Sequence, residues 1–127
     1  MKKKVFIIII ILLCIYCVLF ILGGFKKKTD VVLIDYSLSE DRTKMQLNVT
    51  VENSIGYIRN LKVNQGGDNK YITFYSTFGI LNSKIGAKTK YEIELNPTCE
   101  EIYFYKGDGG YNLVLKKNTI TNQWQAV

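Results

Sequence analysis

Residues 44–52 read KMQLNVTVE, and the alternation within them decides the fold class of the chain. Met45, Leu47, Val49 and Val51 fall on every second position, with Gln46, Asn48, Thr50 and Glu52 between them. Successive side chains of a strand leave on opposite faces, so a period of two describes a strand with one buried and one solvated side. KYEIELN, residues 90–96, repeats the device. Tyr91, Ile93 and Leu95 lie on one face, Lys90, Glu92 and Glu94 lie on the other, and Pro97 ends the run.

Working outward, GYIRNLKVNQ (56–65) and KYITFYSTF (70–78) flank GGDN at residues 66–69, whose glycines and asparagine tolerate the positive φ of a tight hairpin turn. EIYFYK (101–106) and YNLVLK (111–116) flank GDGG in the same way. This predicts a second hairpin with Ile102 and Phe104 opposed to Leu113 and Leu115. VVLIDYS (31–37) and TNQWQAV (121–127) read as edge strands, and no 3.6-residue period is sustained after residue 30. About seven or eight strands separated by regular turns predict an all-β, antiparallel sandwich over residues 31–127. In strand order and spacing, residues 31–116 resemble an immunoglobulin or fibronectin type III-like module. LNPTCEEIYFY (95–105) resembles the tyrosine-corner region of that class. The paired cysteines and central tryptophan of antibody domains are missing, since Trp124 lies near the C-terminus.

The N-terminal part is of a different kind. VFIIIIILLCIYCVLFILGGF, residues 5–25, carries no charge and lies between lysine triplets Lys2, Lys3, Lys4 and Lys26, Lys27, Lys28. As a helix, 21 residues at about 1.5 Å each span roughly 31 Å, matching the ~30 Å hydrocarbon core. A cleaved leader has a shorter apolar region and a small-x-small site, whereas Leu22 or Ile21 would occupy the critical position here. Leu13 before Cys14 and Tyr16 before Cys17 argue equally against lipoprotein processing. The expected plan is a cytoplasmic tail at 1–4, an uncleaved signal anchor in the cell membrane at 5–25, a linker at 26–30 and an extracytoplasmic domain at 31–127. The two triplets tie the positive-inside count, and the amino-terminal charge on a short tail favours N-inside.

The net charge of +6 belongs to this anchor. Residues 31–127 carry 11 Lys/Arg against 10 Asp/Glu, so the clustered basic face that nucleic acid requires is not expected. Histidine is absent, and with it the commonest metal ligand and general base. Cys14 and Cys17 lie in the apolar run, which leaves Cys99 alone in the domain without a disulfide partner. Neither an enzyme nor a cofactor is expected.

Tyrosines offer the best contact residues, because each ring presents large area at small entropic cost. Tyr103 and Tyr105 fall opposite Ile102 and Phe104, while Tyr71 and Tyr75 read as pointing to opposite sides of their strand. Cross-strand packing is the simpler use of the same rings. STFGILNSKIG (76–86) is the least strand-like stretch, and its Ile80 and Leu81 either cap the sandwich or touch a partner. The glycine loops carry too few carboxylates for Ca²⁺. A glycosidase pair drawn from Glu92, Glu94, Glu100 and Glu101 competes with a plain solvated face, and Cys99 lacks a basic neighbour in sequence to activate it.

The Lys, Ile, Asn and Tyr bias suggests a low-GC bacterium. The expected function is a membrane-anchored, extracytoplasmic binding or structural module for a protein or a cell-envelope polymer, with the lipid bilayer as its first partner. The alternatives are an accessory subunit held through its helix and a histidine-free hydrolase using glutamates.

Overall fold

The computed structural model describes residues 1–52, 56–79 and 84–127. Helix α1 (Lys2–Gly23) comes first. Among the described residues nine strands follow: β1 (Lys27–Lys28), β2 (Val31–Leu38), β3 (Lys44–Val51), β4 (Ile58–Gly66), β5 (Asn69–Ser76), β6 (Lys90–Glu94), β7 (Glu101–Gly107), β8 (Gly110–Lys117) and β9 (Trp124–Ala126). At about 1.5 Å per residue, the 22 residues of α1 are long and apolar enough to cross a membrane. The strand domain buries none of them. With apolar residues on every side, the helix lacks the polar face that a surface helix in water requires.

The strands form two sheets. The smaller runs β2-β3-β6, antiparallel throughout, with Leu47 paired to both Tyr36 and Tyr91. In the larger, β5 pairs along one edge with β4, while its other edge is shared. Lys70, Tyr71 and Ile72 pair in parallel with Ile102, Tyr103 and Phe104 of β7, and Phe74 and Tyr75 pair with Lys28 and Lys27 of β1. Strands β8 and β9 extend the sheet beyond β7. The two hairpin turns form where their sequences require them. Gly67 adopts φ 70°, and Asp108 and Gly109 adopt 54° and 73°, the positive pair of a two-residue hairpin loop.

Two features depart from the sequence expectation. The first is the parallel β5–β7 pairing within a sheet expected to be wholly antiparallel. In an immunoglobulin sheet the first strand of the central hairpin lies beside the first strand of the last hairpin. Here the second strand of the β4–β5 hairpin takes that place, which reverses the local direction. The second is β1. Residues 26–30, expected as a linker, contribute a strand that completes the β5 edge beyond the last β7 partner, Ile72–Phe104.

One core joins the sheets. Met45, Leu47 and Val49 of β3 and Ile93 of β6 pack against Ile72, Phe74, Ile102, Phe104 and Leu115 of the larger sheet. Phe74 meets Phe104 edge-on at 4.8 Å and Tyr91 at 5.8 Å, the latter across the interface. Trp124 joins the same cluster from β9, and its carbonyl accepts the Tyr36 hydroxyl at 2.8 Å. The β7–β8 pairing corrects one expected contact. Ile102 does face Leu115, but a bulge before Tyr103 sets that residue against Leu113 and leaves Phe104 opposite Asn112.

Candidate functional site

Two surfaces stand out, and the first is the seam between helix and domain. Near the end of an α-helix the last carbonyls have no partner within the helix. Here the domain supplies several. Gly79 N–H donates to Phe20 O at 3.0 Å, the Ser76 hydroxyl donates to Gly23 O, and Arg59 Nη2 donates to Gly24 O at 2.8 Å. The guanidinium thus sits at the negative end of the helix dipole, and its carbon lies 4.0 Å from the centre of the Phe78 ring. That ring stacks on Phe20 at 6.0 Å and meets Phe25 edge-on at 6.5 Å.

Gly23 and Gly24 make this approach possible. Gly24 has ordinary helical φ and ψ of −71° and −14°, so conformational freedom is not what it provides. A Cβ on Gly24 would run into the Phe78 ring, and one on Gly23 would lie 2.5 Å from Gly79 O. The pair makes room for another backbone. Ser76 N–H then donates to Lys26 O at 2.9 Å, which leads directly into the β1–β5 pairing.

The second surface is a ladder of tyrosines on the outer face of the larger sheet. Tyr71 and Tyr103 are register partners in the parallel pair, and their rings stack at 4.8 Å with planes 9° apart. Tyr111 meets Tyr71 edge-on at 5.1 Å and Tyr105 at 5.5 Å. The Tyr103 hydroxyl donates to Glu101 Oε2 at 3.1 Å, and Lys27 Nζ lies 5.3 Å from the Tyr105 ring. Desolvation, with that carboxylate as the smaller cause, holds the Tyr103 phenol above its usual range.

Of the residues singled out in the sequence, Tyr71, Tyr103 and Tyr105 come together, and Tyr111 completes the group. Tyr75 lies on the same outer face as Tyr71, not the opposite one, because Ile72 and Phe74 both point into the core. It sits beyond the ladder, beside Lys27 and Asn60. Ile80 and Leu81 lie outside the described residues.

The chemical alternatives find little geometry. Glu92 and Glu94 are on the outer face of the smaller sheet, with Glu92 3.5 Å from Lys44, whereas Glu101 is on the outer face of the larger one. These carboxylates face away from each other across the domain. Cys99 is fully buried, and desolvation pushes its thiol upward despite a smaller opposing effect of Lys70. Among the described residues no cluster of three or more His, Cys, Asp or Glu could hold a metal ion. A pocket of about 220 Å³ at the end opposite the helix is lined by Arg42, Pro97, Cys99, Lys117 and Trp124, and no glutamate lines it. Comparison with protein families, curated proteins and solved structures gave no match.

Proposed function

We propose that this chain is a membrane-anchored, extracytoplasmic, non-enzymatic module, held by an uncleaved N-terminal helix and using its tyrosine ladder to contact a protein or a cell-envelope polymer. The observation that carries the reading is the fitted seam. The domain bonds to carbonyls of Phe20, Gly23 and Gly24, and Phe78 packs between Phe20 and Phe25. A leader that is removed after export would have no use for such contacts, since they vanish on cleavage. An anchor that must hold its domain in a set orientation uses all of them. In this reading the domain is an immunoglobulin-like sandwich with its β4–β5 hairpin reversed.

The mass of the mature protein tests the anchor directly, and loss of the first ~25 residues overturns it. Protease applied to intact cells tests the side of the membrane. Degradation of the domain before lysis is expected. For the ladder, Tyr103→Ala combined with Tyr111→Ala should abolish capture of an envelope fraction while Lys44→Gln on the other sheet leaves it intact. Equal capture by both variants would remove the tyrosines from the binding role.

The accessory-subunit reading has one observation in its favour. The domain leaves the flanks of α1 uncovered, including Cys14, Tyr16 and Cys17. Those flanks are free to pack on other helices in the bilayer. Retention of the isolated helix in a membrane complex after deletion of the domain would favour that role.

A further inference from the structure

We propose that the helix-facing end of the domain is a docking surface for anionic phospholipid headgroups, formed by Lys26, Lys84 and Lys88 around the exposed side chains of Phe25 and Ile85. The inference rests on the anchored reading above and adds the chemistry of the surface that the domain meets.

Charge is distributed unevenly along the molecule. At the helix end stand Lys26, Lys27, Lys28, Arg59, Lys84, Lys88 and Lys106, against Asp30, Glu52 and Asp108, the β7–β8 turn lying there because Gly107 adjoins Thr29. The rest of the domain holds seven Lys/Arg and eight Asp/Glu. The near-neutral total therefore conceals a basic end. Among the described residues the ion pairs are Lys28–Asp30 and Lys44–Glu92, so Lys26, Lys84 and Lys88 keep their charge uncompensated by a paired carboxylate.

The loop at 84–88 belongs to this end by direct contact. A Cβ on Gly86 would lie 3.8 Å from Arg59 Cγ, and Arg59 in turn bonds Gly24 O. Lys88 N–H donates to Ile58 O at 2.8 Å, and Lys88 O accepts the Tyr91 hydroxyl at 2.7 Å, which fixes the loop to β4 and β6. Its tip exposes Ile85 at 61 %, and the helix exit exposes Phe25 at 63 %. Apolar side chains set among lysines beside a hydrophobic helix are the composition of an interfacial contact, where the apolar group enters the headgroup boundary and the ammonium groups meet phosphates.

The bilayer is the occupant because the seam leaves no room for another. Gly79 is bonded to Phe20, within the apolar run itself, so no spacer separates the hydrocarbon-matching helix from the domain. Docking is then intramolecular, and modest attraction per cation is sufficient.

The full-length chain would be reconstituted in nanodiscs of phosphatidylcholine, with or without phosphatidylglycerol, and deuterium uptake of residues 84–88 followed. Uptake should be at least about fivefold slower in the anionic discs, roughly the factor contributed by one cation at a charged surface. High salt should remove the difference. Lys84→Gln with Lys88→Gln should also remove it while β3 amides stay protected. Equal uptake in the two lipids, with the chain retained in both discs, overturns this inference and leaves the anchor standing. A lipid difference that survives in the double variant overturns the assignment to these lysines. A chain that enters neither disc overturns the anchor and the docking surface together.

Discussion

The two ends of the domain are held by different physics. At the helix end, backbone meets backbone. Gly23 and Gly24 admit Gly79 and Phe78, and Arg59 and Ser76 satisfy carbonyls that a helix terminus would otherwise leave open. At the far end, the β2–β3 turn is held by short polar side chains at the surface. Asp41 Oδ1 accepts the hydroxyls of Ser39 and Thr43, each at 2.8 Å, and Thr43 N–H at 3.1 Å. One arrangement fixes where the domain sits and tolerates no added volume. The other closes a hairpin in water and is open to both substitution and solvent.

Phe74 lies between these ends and in contact with both sheets, so its loss should affect both together. Phe74→Ala removes a ring only 1 % exposed and should cost about 3–5 kcal/mol, read by urea unfolding of the full chain in detergent. Protection should fall in β3 and β6 as well as β5, and loss confined to one sheet would mean that the shared core does not couple them. The next largest effect separates the ends. Gly24→Val forces a side chain into the Phe78 ring and should cost about 1–3 kcal/mol, most of it as opening of the seam. Proteolysis between Lys26 and Lys28 would rise while the sheets persist. Gly67→Ala, in the far β4–β5 turn, meets no atom within 4 Å. It should therefore cost only about 1–2 kcal/mol, from its φ of 70° alone. If Gly67→Ala opened the seam and Gly24→Val did not, the assignment of space to one end and conformation to the other would be reversed.

The same contrast explains what the sequence disclosed. The clearest strands were legible because each alternates within itself. Lys44–Val51 keeps Met45, Leu47 and Val49 buried, as its pattern requires. The two hairpin turns were legible because glycine and aspartate must supply positive φ there. The common face of Tyr71 and Tyr75 was also within reach, since four residues is an even number of steps along a strand. Tyr111 could have been joined to Tyr105 by folding YFYK back across GDGG. The seam could not be read, because Phe78 and Arg59 lie more than thirty residues from Gly24 and nothing local marks them as its partners. Nor could β1, where two lysines carry no pattern and pair only because the β5–β7 pairing stops at Ile72–Phe104 and leaves the β5 edge open. Parallel pairing of β5 with β7 is equally a decision of the tertiary structure, since either hairpin strand has the composition to sit there.

Tyr91 gives a smaller effect at the helix end. Burial pushes its phenol up from 10 to about 12, with Arg59 pulling the other way, and its hydroxyl donates to Lys88 O. A folded-state value above the unfolded one means that stability is intact below pH about 10 and declines as pH rises toward about 12, where the unfolded chain alone releases the proton. Tyr91→Phe should cost about 1 kcal/mol near neutrality and flatten that alkaline decline. An alkaline loss of the same size in the phenylalanine variant would assign it to another group.

The smallest effect belongs to the far turn and runs in the opposite direction. Hydrogen bonds from Ser39 and Thr43 hold the Asp41 carboxyl down from 3.8 to about 2, so the folded turn favours the charged form. Its contribution is complete above the unfolded value and is lost as pH falls through about 2, because protonation replaces an acceptor of three hydrogen bonds with a hydroxyl. The group is fully exposed, so the change should register locally, as faster exchange of the Thr43 amide, with the global unfolding transition almost unmoved. Asp41→Asn should produce that exchange behaviour already near neutral pH. Arg59 and Gly79, bonded to carbonyls that do not titrate in this range, should keep their protection through the same acid titration. If the seam loosened in step with Thr43, the two ends would share one cooperative unit, and the independence argued from their separate chemistry would fail.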